Sequence, residues 1–141
     1  SERLTLGDGD FLDLDWTRTG AKRLAVLSHG LEGSSKSKYI LGCSAQLQSQ
    51  GWDTMAWNFR GCSGDLKSLS RGYHSGKWDD LAHVVQAASA RGYEQISLVG
   101  FSVGGNVTML YLARCSSIPL QVRSAVVVSV PCDLAASAGA M

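Results

Sequence analysis

Apolar positions along the chain form short compact runs separated by polar, glycine-containing stretches. The first two runs, residues 4–6 and 11–16, predict an antiparallel hairpin, because apolar and acidic residues partly alternate in the second. Four later runs are almost continuously apolar, which is typical of strands buried in a parallel sheet. These later runs cover residues 24–28, 53–59, 96–100 and 122–130.

Three stretches between these strands carry apolar residues at helical spacing, over residues 37–50, about 77–91 and about 103–115. Gly51 and Gly92 follow the first two, at the position where a left-handed residue commonly ends a helix. After the hairpin, strands and helices alternate. The order predicts an α/β fold with a mostly parallel sheet, helices on both faces and an N-terminal antiparallel hairpin.

Three of the predicted strands end in loops that contain glycine: His29-Gly30, Arg60-Gly61 and Gly100-Phe101-Ser102. The carboxyl ends of parallel strands meet at one edge of the sheet, and ligands collect there. We therefore expect these loops to line one cleft.

The third loop contains a serine in the pattern G-x-S-x-G, from Gly100 to Gly104. A serine at a sharp strand-to-helix turn raises its hydroxyl into the cleft, and only small residues fit two positions before and after it. The N–H of Val103, at the positive end of the following helix, can then donate to an oxyanion. Ser102 is the candidate nucleophile.

This glycine-rich turn has two other interpretations. Ser102 could simply cap the helix that follows it. A dinucleotide-binding loop would need G-x-G-x-x-G, a spacing that residues 100–105 do not supply. The strand before Ser102 and the amphipathic helix after it favour the nucleophile.

The loop after the first parallel strand, residues 29–33, is the candidate second half of an oxyanion hole. A tetrahedral intermediate needs two N–H donors, and Leu31 is the expected partner of Val103. Gly30 lets the backbone approach a substrate. His29 is expected to brace this loop rather than act as a base, and Glu32 is expected to be a loop or surface acid.

Four ordered motifs in the chain resemble the YheT-like branch of the α/β-hydrolases. They are residues 29–35, 58–64, 73–76 and 100–106, while residues 130–134 are similar to the family's exit toward its cap. The resemblance implies Ser102 as nucleophile, Leu31 and Val103 as oxyanion donors, and carboxylic esters with fatty or short acyl groups as substrates. It also implies that residues 1–141 form a single partial domain, which ends where a cap region would begin.

The other members of a catalytic triad are not evident. In this fold the acid and the histidine follow the serine along the chain, but no histidine lies beyond Ser102. His83 is expected to be structural, and His74 and Asp133 are weak substitutes for a base and an acid. We therefore expect little or no activity from this chain alone. An acyltransferase and a non-catalytic binding or scaffold module remain alternatives.

Composition and charge bear on the binding partners, cofactors and cellular location of the protein. A net charge of +1 gives no electrostatic case for nucleic acid, and no apolar stretch approaches the length of a membrane span. Nothing in the sequence calls for a metal or an organic cofactor. The four cysteines, at positions 43, 62, 115 and 132, do not have the spacing of metal ligands or of a redox pair, which predicts reduced thiols. Reduced thiols, together with the lack of an apolar signal segment in the first residues, predict a cytoplasmic protein. Cys62 could be functional by its place in a glycine-rich loop, but nothing nearby would activate it.

The last predicted strand, 122–130, lacks a partner on its outer side. An exposed apolar edge invites pairing with another strand. We expect self-association, or binding of a missing C-terminal fragment, through this strand.

Overall fold

The structure is a computed structural model that describes residues 2–6, 11–29, 38–58 and 78–128. The strands in these ranges are β1 (Glu2–Thr5), β2 (Phe11–Thr17), β3 (Arg23–Ser28), β4 (Trp52–Trp57), β5 (Gln95–Phe101) and β6 (Val122–Val128). The helices are α1 (Lys38–Ser49), α2 (Trp78–Ser89) and α3 (Val103–Arg114).

The strands form one sheet in the order β1-β2-β4-β3-β5-β6. β1 and β2 pair antiparallel, and β2 runs antiparallel to β4, while β4, β3, β5 and β6 are parallel neighbours. The predicted hairpin and mostly parallel sheet are therefore confirmed. Predicted strand ends differ by only one or two residues where the structure describes both ends.

Helices cover both faces of this sheet, as the alternating pattern predicts. On β3, Leu24 and Val26 face a core shared with α2 and α3, whereas Ala25 and Leu27 face a second core that includes Ile40 of α1. This alternation follows from the two-residue period of a strand. A strand buried on both faces has no polar side, which explains the continuous apolar runs in the sequence.

The buried faces of α2 and α3 differ in composition. Trp78, the first residue of α2, is half-buried and packs against the core, whereas Val84 is fully buried. In α3, Leu110 is half-buried while Gly104 and Thr108 are buried. The first turn of α3 therefore packs through its backbone, which a count of apolar side chains does not reveal.

A buried carboxylate ties together the loops at the amino edge of the sheet. Asp53, near the start of β4, is 2% exposed. Its Oδ1 accepts hydrogen bonds from the backbone and hydroxyl of Thr19 at 2.8 and 2.9 Å and from the Ala21 N–H at 3.3 Å. Its Oδ2 accepts a bond of 2.6 Å from the Tyr93 hydroxyl. Asp53 thereby joins the loop before β3 to the loop before β5.

These bonds set the ionisation of the Asp53–Tyr93 pair. Desolvation by burial raises the pKa of Asp53, but the hydrogen bonds from Tyr93, Thr19 and Ala21 together outweigh it, so the pKa lies below its ordinary value. Burial raises the pKa of Tyr93, and the neighbouring carboxylate raises it further. Asp53 is thus an anion and Tyr93 a neutral donor at neutral pH.

Replacing Asp53 by Asn should lower the free energy of unfolding by about 1–3 kcal/mol, because an amide cannot accept from all four donors. A carboxyl whose pKa is lower in the folded state stabilises the fold above its unfolded pKa of about 3.9, and that stabilisation is lost as pH falls through the folded pKa. Urea unfolding at several pH values should therefore show that the gap between wild type and Asp53→Asn is largest near neutrality and shrinks below about pH 4.

Glu94→Gln is the matched control, since Glu94 follows Tyr93 in the loop before β5 and its carboxylate makes an exposed ion pair with Lys22 at 3.9 Å. Exposed ion pairs contribute little to stability. Equal losses in the two variants would contradict the role given to Asp53.

β6 is the outermost strand on its side of the described sheet, and its side chains remain accessible. Val126, Val127 and Val128 are 53%, 40% and 39% exposed. Within residues 124–128, the strand carries no charged side chain that would oppose pairing. We propose that this edge pairs with β6 of a second copy of the chain, antiparallel across a two-fold axis.

A lysine at Val126 should disrupt this pairing, because a charge on an edge strand opposes the approach of another strand. We expect the wild-type chain to self-associate at micromolar concentration, and Val126→Lys to lower its mass in light scattering. Leu120→Lys is the control, since Leu120 is 94% exposed and lies before the strand. A wild-type monomer at high concentration, or equal effects of both lysines, would contradict the proposed pairing.

Candidate active site

The parallel register brings three strand ends to the same level at the carboxyl edge of the sheet. Ser28 of β3 lies opposite Trp57 of β4 and opposite Gly100 of β5. The Trp57 indole N–H donates to the Ser28 hydroxyl at 2.7 Å, which ties the ends of β3 and β4 together. The ends of the three strands therefore meet at one edge of the sheet, as expected, while residues 30, 60 and 61 of the loops lie outside the described residues.

Ser102 lies at this edge, between the end of β5 and the first residue of α3. Its backbone angles are φ 54° and ψ −116°, and it is the only non-glycine residue with positive φ in the described ranges. Such a conformation costs about 1–3 kcal/mol for a residue with a side chain. A strained serine between a strand and a helix is the geometry that the G-x-S-x-G pattern predicts.

Backbone hydrogen bonds on both sides hold the strained turn. The N–H of Ser102 donates to the carbonyl oxygen of Val128, at the end of β6, over 2.9 Å. Its own carbonyl accepts from the N–H groups of Gly105 at 2.9 Å and Asn106 at 3.1 Å. The serine is therefore anchored to β6 and to the first turn of α3.

The two glycines of the pattern are required by close backbone approaches. A methyl group on Gly100 would lie 2.5 Å from the Cα of Gly105 and 2.6 Å from the carbonyl oxygen of Gly104. A methyl group on Gly104 would overlap the carbonyl of Ser28 and lie 2.5 Å from the carbonyl oxygen of His29. The first turn of α3 thus packs against the end of β3 without intervening side chains.

The capping interpretation of Ser102 does not account for its side chain. Ser102 stands at the N-cap position of α3, but its hydroxyl makes no capping hydrogen bond. Val103 is the first helical residue, and N–H groups in the first turn of a helix have no acceptor within the helix. The positive end of the helix dipole and the Val103 N–H therefore both lie beside the serine.

The start of the candidate oxyanion loop lies next to this turn. His29 follows β3, is fully buried, and its carbonyl oxygen lies against Gly104. A buried His29 fits the bracing role expected of it. Gly30, Leu31 and Glu32 lie outside the described residues, so Leu31 as second oxyanion donor stays a prediction.

The structure describes only some of the other candidate residues. His83 is exposed on α2, with its Nδ1 2.8 Å from the carbonyl oxygen of Asp79 one turn earlier. Cys43 and Cys115 are free thiols, and burial raises the pKa of Cys43, so it is not activated. His74, Cys62, Cys132 and Asp133 lie outside the described residues.

An aromatic pair beside Ser102 was not predicted. Phe101 ends β5, and its ring centroid lies 5.0 Å from that of Tyr39 in the first turn of α1. The position of Phe101 inside the serine motif was visible in the sequence. The contact with Tyr39 was not, because it depends on how α1 packs on the sheet.

The described ranges contain no group of three His, Cys, Asp or Glu side chains that could hold a metal ion. None of α1, α2 and α3 is long and apolar enough to cross a membrane.

Comparison with known proteins agrees with this geometry. The family model for the alpha/beta hydrolase fold matches residues 26–140. The chain belongs to the alpha/beta hydrolase family. It is 39% identical over 135 residues to the esterase-named YheT of Escherichia coli (strain K12), covering 92% of the chain and 39% of that protein.

The similarity extends to a more distant sequence relative and to a solved structure. The chain is 28% identical over 126 residues to the embryogenesis-associated protein EMB8 of Picea glauca, covering 80% of the chain and 28% of that protein. It superposes on the esterase Pf2001 of Pyrococcus furiosus with a TM-score of 0.72 at 21% identity, covering 95% of the chain and 52% of that structure. The chain therefore spans less than half the length of these two curated relatives and about half of the solved structure.

Gly104→Ala should destabilise the fold by about 1–3 kcal/mol, because the added methyl meets carbonyl groups that cannot move aside. Helix propensity alone would give the opposite sign, since alanine is favoured over glycine within helices. Thermal or urea unfolding of purified variants measures the difference.

Gly42→Ala is the matched control. Gly42 also lies in a helix, α1, and no heavy atom lies within 4 Å of a methyl group added there, apart from its helix and chain neighbours. This variant should be more stable than wild type by about 0.5–1 kcal/mol. If the two variants behaved alike, the backbone approach at Gly104 would not be the constraint described here.

Proposed function

We propose that this chain belongs to a serine hydrolase that cleaves carboxylic esters through an acyl-enzyme on Ser102. The observation that carries the proposal is the strained backbone of Ser102, with φ 54° and a hydroxyl that does not cap the helix behind it. Strained residues of this kind persist only where the surrounding structure holds them, and they cluster at active sites. The esterase name of the relative YheT supports an ester as substrate.

The chemistry has two steps. The Ser102 Oγ attacks the acyl carbon, the bond between that carbon and the alcohol oxygen breaks, and the alcohol leaves with the proton that a base took from Oγ. Water then attacks the acyl carbon, the bond to Oγ breaks, the carboxylic acid leaves, and Oγ regains a proton. Both steps pass through a tetrahedral oxyanion.

The N–H groups of Val103 and Leu31 are the proposed oxyanion donors. Val103 is supported by its place at the first turn of α3, where the N–H has no helical acceptor and the helix dipole is positive. Leu31 is supported by the packing of Gly104 against His29, which brings the start of its loop beside the same turn. Loss of one such donor typically costs about 3 kcal/mol of barrier.

Ser102 needs a base to take its proton, and the 141-residue chain has no histidine after Ser102. Its three histidines are at positions 29, 74 and 83, all before Ser102, whereas the triad acid and base of this fold follow the serine. His29 is fully buried and His83 is exposed on the surface of α2. We therefore propose that the 141-residue chain hydrolyses esters slowly by itself.

A base added from solution should restore part of the reactivity. In the presence of imidazole, a biotinylated fluorophosphonate probe should label the wild-type chain: the P–F bond breaks, a bond from phosphorus to Oγ forms, and imidazole takes the proton. Peptide mass spectrometry should place the label on Ser102 ahead of the other serines. Labelling should rise severalfold with imidazole concentration.

Ser102→Ala is the first control, and it should show only the background labelling of surface serines. Ser49→Ala is the second, because Ser49 lies at the end of α1, where its hydroxyl donates to the Gln46 carbonyl, so labelling should persist. Labelling that is spread over many serines and unaffected by Ser102→Ala would refute Ser102 as the nucleophile. Fast ester turnover without imidazole would refute the claim of a missing base.

A further inference from the structure

An apolar strip lies beside Ser102 on the α1 side of the sheet. Gly100 faces α3, and since side chains alternate along a strand, the next residue, Phe101, points to the opposite face. It packs there with the α1 core. The register partner of Phe101 on β6 is Val128, which lies on the same face. The Tyr39 ring on α1 contacts the Phe101 ring, with 5.0 Å between their centroids. We call Tyr39, Phe101 and Val128 the apolar strip.

The side chains of the apolar strip are partly accessible to solvent. Tyr39 is 41% exposed and Val128 is 39% exposed, while Phe101 is half-buried between them. The Tyr39 and Phe101 rings are tilted by 59°, a favourable arrangement for an aromatic pair. The strip thus presents ring and methyl groups at the edge of the sheet that carries Ser102.

The strip is also fixed relative to the serine. Phe101 is covalently joined to Ser102, and the Ser102 N–H donates to the Val128 carbonyl at 2.9 Å. Two of the three strip residues therefore move with the strained turn. A group bound on the strip would be held at a constant position relative to Oγ, which is the requirement for a subsite that selects substrates.

We infer that the apolar strip receives the hydrocarbon part of the ester cleaved at Ser102, and that Phe101 and Tyr39 set a preference for alkyl chains of several carbons over an acetyl group. The inference rests on the proposed function. Each methylene group that leaves water on such a surface strengthens binding by about fourfold. Binding that continues into the transition state raises the rate of acylation by the same factor.

The test compares acylation of Ser102 by p-nitrophenyl acetate and p-nitrophenyl hexanoate, in the presence of imidazole. Mass spectrometry measures the acyl group on Ser102, with Ser102→Ala as the correction for other sites. The wild-type chain should be acylated about sixteenfold faster by the hexanoate, because two of the four additional methylene groups are expected to contact the strip and each contributes about fourfold. Phe101→Ala and Tyr39→Ala should each lower the ratio of hexanoate to acetate rates at least threefold.

Conservative variants separate the strip from a general disturbance of the turn. Tyr39→Phe keeps the ring and should keep the ratio, and Phe101→Leu should keep most of it. Leu41→Ala is the control, because Leu41 is 54% exposed on the same helix but is not part of the strip, and both rates should stay at the wild-type values. Folding of each variant is checked by circular dichroism.

The outcomes distinguish the two proposals. If Ser102 is acylated by both esters but the ratio is the same in wild type, Phe101→Ala and Tyr39→Ala, the strip is not the subsite and the proposed function stands. If the ratio falls equally in Leu41→Ala, the preference is not set by the strip. If neither ester acylates Ser102 above the Ser102→Ala background, the proposed function fails and the subsite fails with it.

Discussion

The approach of the first turn of α3 to the end of β3 is the constraint on which the candidate site depends. At Gly104 the two backbones meet without a side chain between them, against the carbonyls of Ser28 and His29. This contact aims the positive end of α3 at Ser102 and brings the loop that begins at His29 beside the same turn. A methyl group at Gly104 would force these two backbones to move apart.

The strained conformation of Ser102 is maintained by structure on three sides. Gly100 allows β5 to come close to α3, the carbonyl of Ser102 accepts two bonds from the first turn of the helix, and its N–H donates to β6. None of these contacts uses the hydroxyl. Among the described residues, this turn costs conformational energy while its hydroxyl makes no capping hydrogen bond, a combination that favours a chemical role for the hydroxyl over a structural one.

Much of this arrangement could be predicted from sequence because it depends on local rules. The runs that became β3, β4 and β5 are apolar on both faces, and the glycines at 51 and 92 mark helix ends with φ of 89° and 87°. The serine turn was predictable for the same reason, since its pattern, its strand and its helix are consecutive.

Other features depend on the order of strands in the sheet, which the order along the chain does not dictate. Asp53 was interpreted only as the first residue of a strand, but it accepts a bond from Tyr93 across the start of β3. The contact of Tyr39 with Phe101 has the same origin, because α1 must first pack on the sheet. The buried face of α3 is hard to read from sequence because Gly104 packs by its backbone rather than by apolar area.

The amino and carboxyl ends of the parallel strands differ in what they hold in place. At the amino edge, Asp53 joins the loops before β3 and β5 through its bonds from Thr19 and Tyr93. This edge lies at the opposite end of the strands from Ser102. At the carboxyl edge, the strained serine relies on a bond to Val128, in a strand that has a neighbour on only one side within the described sheet. The geometry of Ser102 therefore depends on the position of β6 as well as on its own motif.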